Sequence, residues 1–169
     1  MTAREVKAHN RIFTFKVTQS NYMGNVRGRP YRVLAVPGDF TLYKFADAIL
    51  SGFEFDQDHA FGVYDNLTRW SQSKEGYELF SDDDRDPLSE FPGVKKTKIN
   101  DVFTCIKKKM LFLFDYGDEW HFRVELIGVE PVGEHKTHAK VVKSVGEALP
   151  QYADPDEDDS DEDNSSDDE

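Results

Sequence analysis

Residues 110–126, Met110-Leu-Phe-Leu-Phe-Asp-Tyr-Gly-Asp-Glu-Trp-His-Phe-Arg-Val-Glu-Leu126, decide the fold. Met110–Phe114 is apolar without a break, which suits a central strand covered on both faces. Beyond the bend, Trp120, Phe122, Val124 and Leu126 alternate with His121, Arg123 and Glu125. Period-two alternation of this kind marks a strand with one dry and one wet face. Asp115, Tyr116, Gly117, Asp118 and Glu119 join the two as a tight acidic turn, with Gly117 expected at positive φ. The stretch reads as a β-hairpin in the middle of an antiparallel sheet.

Working outward, Ile99, Val102, Phe103 and Ile106 have helical spacing and predict a short helix over 99–106. Ser81–Pro92 is acidic and turn-rich, hence an exposed loop. Ala60–Asp65 and Gly76–Phe80 read as short strands. Leu42, Phe45, Ala46, Ile49, Leu50 and Phe53 fall on one stripe of an amphipathic helix, with Asp39 or Thr41 as N-cap. Tyr31–Val36 is a strand stopped by Pro37-Gly38. Arg11–Gln19 alternates as another, with Phe13, Phe15 and Val17 on one face. Ser20–Pro30 is a polar, Gly-containing loop. Lys140–Ala148 is expected to be irregular or helical. The pattern predicts an α+β fold: a mostly antiparallel sheet, one long amphipathic helix packed on a face, and a short second helix. Residues 1–153 are expected to form a single domain. Residues 154–169 are expected to be a disordered acidic tail, because they have charge and nothing apolar to bury.

Composition narrows the class. Thirteen phenylalanines supply core area in a chain of 169 residues. The single Cys105 excludes an intrachain disulfide and suits a reducing compartment. Neither a signal-peptide pattern nor a membrane-length apolar run is present, so the expectation is a soluble cytoplasmic protein with no membrane partner. The net charge of −12 is unevenly spread. Residues 154–169 hold 11 of the 33 acids and no base, which leaves 21 bases against 22 acids elsewhere. Residues 1–38 carry seven bases and one acid, whereas residues 39–93 carry four bases and 13 acids.

Several residues are candidates for chemistry. Asp115 and Asp118 crowd the hairpin turn and could take a cation together with Asp58 and His59 if the two segments meet. As structure, aspartates at a bend accept backbone N–H bonds. Trp120 could stack on a ligand, or belong to the core, and His121 lies beside it. Lys95, Lys96, Lys98, Lys107, Lys108 and Lys109 could contact phosphates, or act as solubilising residues around an apolar strand. His135 and His138 have a weak zinc-like spacing with no cysteine pair to support it. No phosphate loop, dinucleotide fingerprint, nucleophile elbow or Cys–His dyad is evident, so no cofactor is expected.

Three blocks also resemble the plasmid pRiA4b ORF-3-like family, whose members are often found with mobile elements. They are Val36-Pro-Gly-Asp-Phe-Thr-Leu-Tyr-Lys-Phe45, Phe53-Glu-Phe-Asp-Gln-Asp-His-Ala-Phe61 and Phe114-Asp-Tyr-Gly-Asp-Glu-Trp120. This chain departs from the family pattern at Phe55, where a Trp is usual, and at Phe122, where many members have His. The resemblance implies the fold and the mobile-element association, and it implies no enzyme class. The leading reading is therefore a non-enzymatic binding or adaptor module with a protein partner. A nucleic-acid-associated protein using segments 1–38 and 95–109 is the second reading. A metal-dependent hydrolase at Asp58, His59 and Asp118 is the third.

Overall fold

The computed structural model describes residues 11–83, 89–131 and 138–152. Alternating apolar residues make the strands, and these residues form one seven-stranded sheet. The elements are β1 (Arg11–Ser20), β2 (Tyr31–Pro37), α1 (Leu42–Gly52), β3 (Phe61–Tyr64), β4 (Gly76–Glu78), α2 (Ile99–Val102), β5 (Lys109–Phe114), β6 (Trp120–Pro131) and β7 (Lys140–Val145). Strand order is β4-β3-β5-β6-β1-β2-β7 and every neighbouring pair is antiparallel. The hairpin that opened the reading supplies the centre. Phe112 sits opposite Phe122 and Phe114 opposite Trp120. The acidic segment 154–169, residues 1–10 and His135 lie outside the described residues.

One face of the sheet carries the main core. Directly paired residues point the same way. Phe15, Val17, Phe112, Phe122 and Val124 therefore form one apolar surface, and the α1 stripe of Leu42, Phe45, Ala46, Ile49 and Leu50 covers it. The Thr41 hydroxyl accepts the Lys44 N–H at 3.2 Å, satisfying one orphan donor at the N-terminus of α1. The helix is eleven residues rather than long. It stops because Glu54 takes the left-handed conformation, φ 61°. The second helix is a single turn, Ile99–Val102, whose Ile99 and Val102 plug the same core. On the opposite face, Tyr64, Leu111 and Leu113 are roofed by Leu67, Trp70, Phe91 and Tyr116.

Four expectations fail here. Residues 140–145 form a strand on β2, not a helix. They are an edge strand with all six residues exposed, so no apolar alternation announced them. Gly117 does not take positive φ; Asp115 (φ 63°) and Glu119 (φ 52°) do. Glycine is nevertheless suited to position 117, because a Cβ there would sit 3.3 Å from the Asp115 Oδ1. The expected wet face of β6 is not wet throughout, since His121 is buried on it at 3% exposure. The strand expected over 76–80 also ends earlier, with a 3₁₀ turn over Leu79–Asp82.

After β7 the chain doubles back as a strap across the end of the core. Gln19 exchanges two hydrogen bonds with the backbone of Leu149, and Gln151 exchanges two with the backbone of Asp56. Each side-chain amide thus stands in for a strand neighbour. The strap delivers Tyr152 to the loop after α1. Among the described residues no helix is long and apolar enough to cross a membrane.

Candidate functional site

The segments holding Asp58, His59 and Asp115 do meet. Phe61 pairs with Phe114, and the Asp115 N–H donates to the Ala60 carbonyl at 2.9 Å, which sets the two loops side by side. His59 Nδ1 lies 2.6 Å from Asp58 Oδ1, and its Nε2 lies 3.6 Å from Asp115 Oδ2. Tyr152 donates its hydroxyl proton to Asp58 Oδ2, and Gln151 donates to Asp58 Oδ1 at 3.0 Å. Asp115 Oδ1 accepts the N–H groups of Gly117 at 3.0 Å and Asp118 at 3.3 Å. The hairpin aspartate is thus a turn acceptor, and His59 bridges the acids of two loops.

The electrostatics follow from those contacts. The hydrogen bond to Asp58, reinforced by the charges of Asp115 and Asp118, holds the His59 imidazolium above its ordinary value. Tyr152 and His59 hold the Asp58 carboxyl below its own. The same bond pushes the Tyr152 phenol up to about 12. Asp58 and Asp115 thus share a single imidazole, and the corner keeps a negative balance. Among the described residues no group of three or more His, Cys, Asp or Glu side chains is arranged to hold a metal ion.

Trp120 and His121 do not join this corner. Trp120 packs edge-on against Phe55 at 4.9 Å, on the core side of the sheet. His121 points to the other face, opposite Leu113. Neither of its ring nitrogens has a hydrogen-bond partner, and Glu119 Oε1 stands 3.6 Å from Nε2. Burial pushes the His121 imidazole down. The two histidines are expected to titrate on opposite sides of 6.5, His59 above and His121 below. His59 then stabilises the fold fully below the unfolded value and loses that contribution as pH rises through its raised folded value. His121 stabilises as the neutral ring and loses its contribution as pH falls toward its lowered value. Proton NMR of the two rings checks this. Asp58→Asn should return His59 toward the ordinary value and leave His121 in place. Coincident titration of the two histidines would refute it.

The candidate phosphate-contacting lysines do not act as one group. Lys108 is occupied by the Glu75 carboxylate at 2.9 Å and the Val102 carbonyl at 2.6 Å. Lys95 lies over the Tyr43 ring beside α1. Lys109 sits opposite Glu125. Lys96, Lys98 and Lys107 are simply exposed. His138 lines a groove of about 620 Å³ between α1 and β7.

A different surface emerges at the other end of the sheet. Residues 11–37 and 140–145 contain no acid, and β1, β2 and β7 are adjacent. Lys16, Arg27, Arg29, Lys140 and Lys143 belong to these strands and to the loop joining β1 and β2, and Lys16 and Lys143 share the Tyr31 ring. Among the described residues none of them is within ion-pair distance of a carboxylate. Glu125, opposite Lys16 in β6, and Glu147, one residue beyond the Gly146 that packs on Pro30, are neighbouring counter-charges. The sequence carried half of this signal in the acid-free run. The other half needed β7 to be recognised as a strand.

An antiparallel sheet with one helix over its core face defines an α+β protein. Its kinship is specific: the chain belongs to the family described as plasmid pRiA4b ORF-3-like protein, whose model matches residues 11–155. A crystal structure of MM3350 from Methanosarcina mazei Go1, a protein of unknown function, is similar with a TM-score of 0.68 and 19% identity. The match covers 86% of this chain and 75% of that one, and it shows a shared fold. No curated protein matches.

Proposed function

We propose that the chain is a non-catalytic binding module whose recognition surface is the basic end formed by β1, β2 and β7. One observation carries this reading: among the described residues, five bases on three adjacent strands and their loop have no carboxylate within ion-pair distance. At the loop corner, by contrast, His59, Gln151 and Tyr152 already engage Asp58, and His59 lies 3.6 Å from Asp115. Unpaired surface charge of one sign attracts ligands of the other and speeds their encounter. The chain's negative net charge does not oppose this. Fields are screened beyond roughly 10 Å at 0.1 M salt, so distant acids contribute little at the surface.

The test is a titration of the full chain with long-chain polyphosphate, an anion with no ring to stack. Binding is expected at low ionic strength and should weaken steadily with added salt. The triple variant Lys16→Glu, Lys140→Glu, Lys143→Glu should abolish it. These three positions are exposed or half-exposed strand positions, so the variant should keep its fold. Absence of binding by the native chain, or equal binding by the variant, would overturn the reading.

A further inference from the structure

The loop between β1 and β2 is held rigid, yet it presents its apolar side chains to water. The Asn21 side chain accepts the N–H groups of Met23 at 3.0 Å and Asn25 at 2.9 Å. The Gly24 N–H returns to the Asn21 carbonyl at 2.8 Å, and Asn25 Oδ1 accepts the Arg27 N–H at 3.0 Å. Gly24 and Gly28 supply the left-handed turns, φ 75° and 70°. These bonds fix a tip on which Tyr22 is 73% exposed and Met23 65% exposed. Holding a large aromatic side chain out in water gains nothing for folding, since burial is what stabilises it. At the base of the same loop, the Tyr31 ring carries Lys16 Nζ at 4.4 Å and Lys143 Nζ at 5.9 Å from its centroid. Arg27 and Arg29 lie between the two tyrosines in sequence.

We infer that this loop and the sheet face at its base bind a single-stranded nucleic acid. The inference rests on the basic-surface reading above and names its ligand. The chemistry fits in two parts. Lys16, Arg27, Arg29 and Lys143 neutralise phosphates along a strand. Tyr22 supplies a π-face on which an unpaired base stacks, an interaction indifferent to base identity. The lysines resting on Tyr31 are already placed at an aromatic surface, so phosphates meet charges held in position by the ring. An acidic protein would satisfy the charges but leave the projecting Tyr22 without its stacking partner. Duplex hides its base faces, so only the charge component is available to it.

The experiment measures fluorescence anisotropy of a labelled oligothymidylate with the full chain, its Tyr22→Ala and Tyr22→Phe variants, and the triple charge-reversal variant. Native protein is expected to bind the oligonucleotide, and Tyr22→Ala to bind it about tenfold more weakly. Tyr22→Phe should restore most of the affinity, because stacking needs the ring and not the hydroxyl. Tyr22→Ala should leave polyphosphate binding unchanged. Since Tyr22 is exposed, an unchanged melting temperature verifies that the variant is folded. Equal oligonucleotide binding by Tyr22→Ala and native protein would overturn the inference while leaving the basic-surface reading intact. Displacement by polyglutamate as effectively as by unlabelled oligothymidylate would overturn it in favour of an acidic protein ligand. Binding of neither oligonucleotide nor polyphosphate would overturn both.

Discussion

Replacing Phe45 with Ala is expected to lower folding stability by about 3–5 kcal/mol, the usual range for deleting a buried phenyl ring. Phe45 is 3% exposed at the middle of α1. Its ring lies 4.5 Å from that of Phe15 on β1 and 6.2 Å from that of Phe103 beyond α2. Three separate elements therefore converge on one side chain. The floor of the site is a sheet strand paired on both sides, and it cannot move in to fill the space. A cavity that does not collapse forfeits the dispersion contacts of its lining as well as the transfer free energy of the ring. The midpoint of denaturant unfolding should fall with the slope little changed, since the same surface is exposed on unfolding. A loss below about 1 kcal/mol would show that α1 does not clamp the core. Tyr22→Ala provides the contrast. Its ring is in water, so the change should stay within about 0.5 kcal/mol.

That contrast also explains what the sequence made legible. Where burial sets the pattern, the pattern could be read. The α1 stripe from Leu42 to Phe53, the alternation in β1 and the continuous apolar run of β5 each report a face removed from water. All three elements stand where they were expected. Trp120 was placed in the core as well as among the ligand candidates, and the core placement is the one its packing on Phe55 supports. Where burial is silent, the reading failed. β7 buries nothing, and a register irregularity opposite Val33 and Leu34 breaks its alternation. The hairpin turn places left-handed residues at Asp115 and Glu119, where side-chain and backbone hydrogen bonds outweigh the intrinsic preference of Gly117. His121 looked wet because it alternates with apolar residues, but the covering of that face by Leu67 and Trp70 is a tertiary fact. The meeting of Asp58, His59 and Asp115 was conditional on two loops touching. The β3–β5 register, which no local pattern encodes, brought them together.

Arg32→Met is expected to destabilise the chain by about 3 kcal/mol, and to do so first at one edge. Arg32 is a charged side chain only 8% exposed, on β2 beneath the end of α1. It meets carbonyl groups instead of a carboxylate. Nε donates to the Gly52 carbonyl at 2.9 Å, and Nη1 donates to the carbonyls of Tyr31 at 3.0 Å, Val145 at 3.3 Å and Gly146 at 3.0 Å. The guanidinium also lies 4.9 Å from the Phe53 ring centroid. A cation at the C-terminus of α1 is favourable for the helix dipole. The further contacts clamp the end of β7 and the start of the strap. Methionine retains much of the apolar stem but leaves these carbonyls without their donor, and hydrogen bonds to a charged group contribute roughly 1.5–3 kcal/mol each. Water reaches the exposed edge and recovers part of that loss, so the total stays near the value of one or two such bonds. Lysine should rescue little, because a single ammonium cannot reproduce the fork. Hydrogen exchange localises the effect. Amides of β7 and of the strap should lose protection before those of β5 and β6, which sit in the centre of the sheet. The strap also carries Gln151 and Tyr152 to Asp58. Its loosening removes two donors from that carboxylate, so the Asp58 carboxyl should titrate closer to its ordinary value in the variant. Unchanged protection of β7 with an unchanged melting temperature would mean that the strand holds its place by backbone pairing with β2 alone.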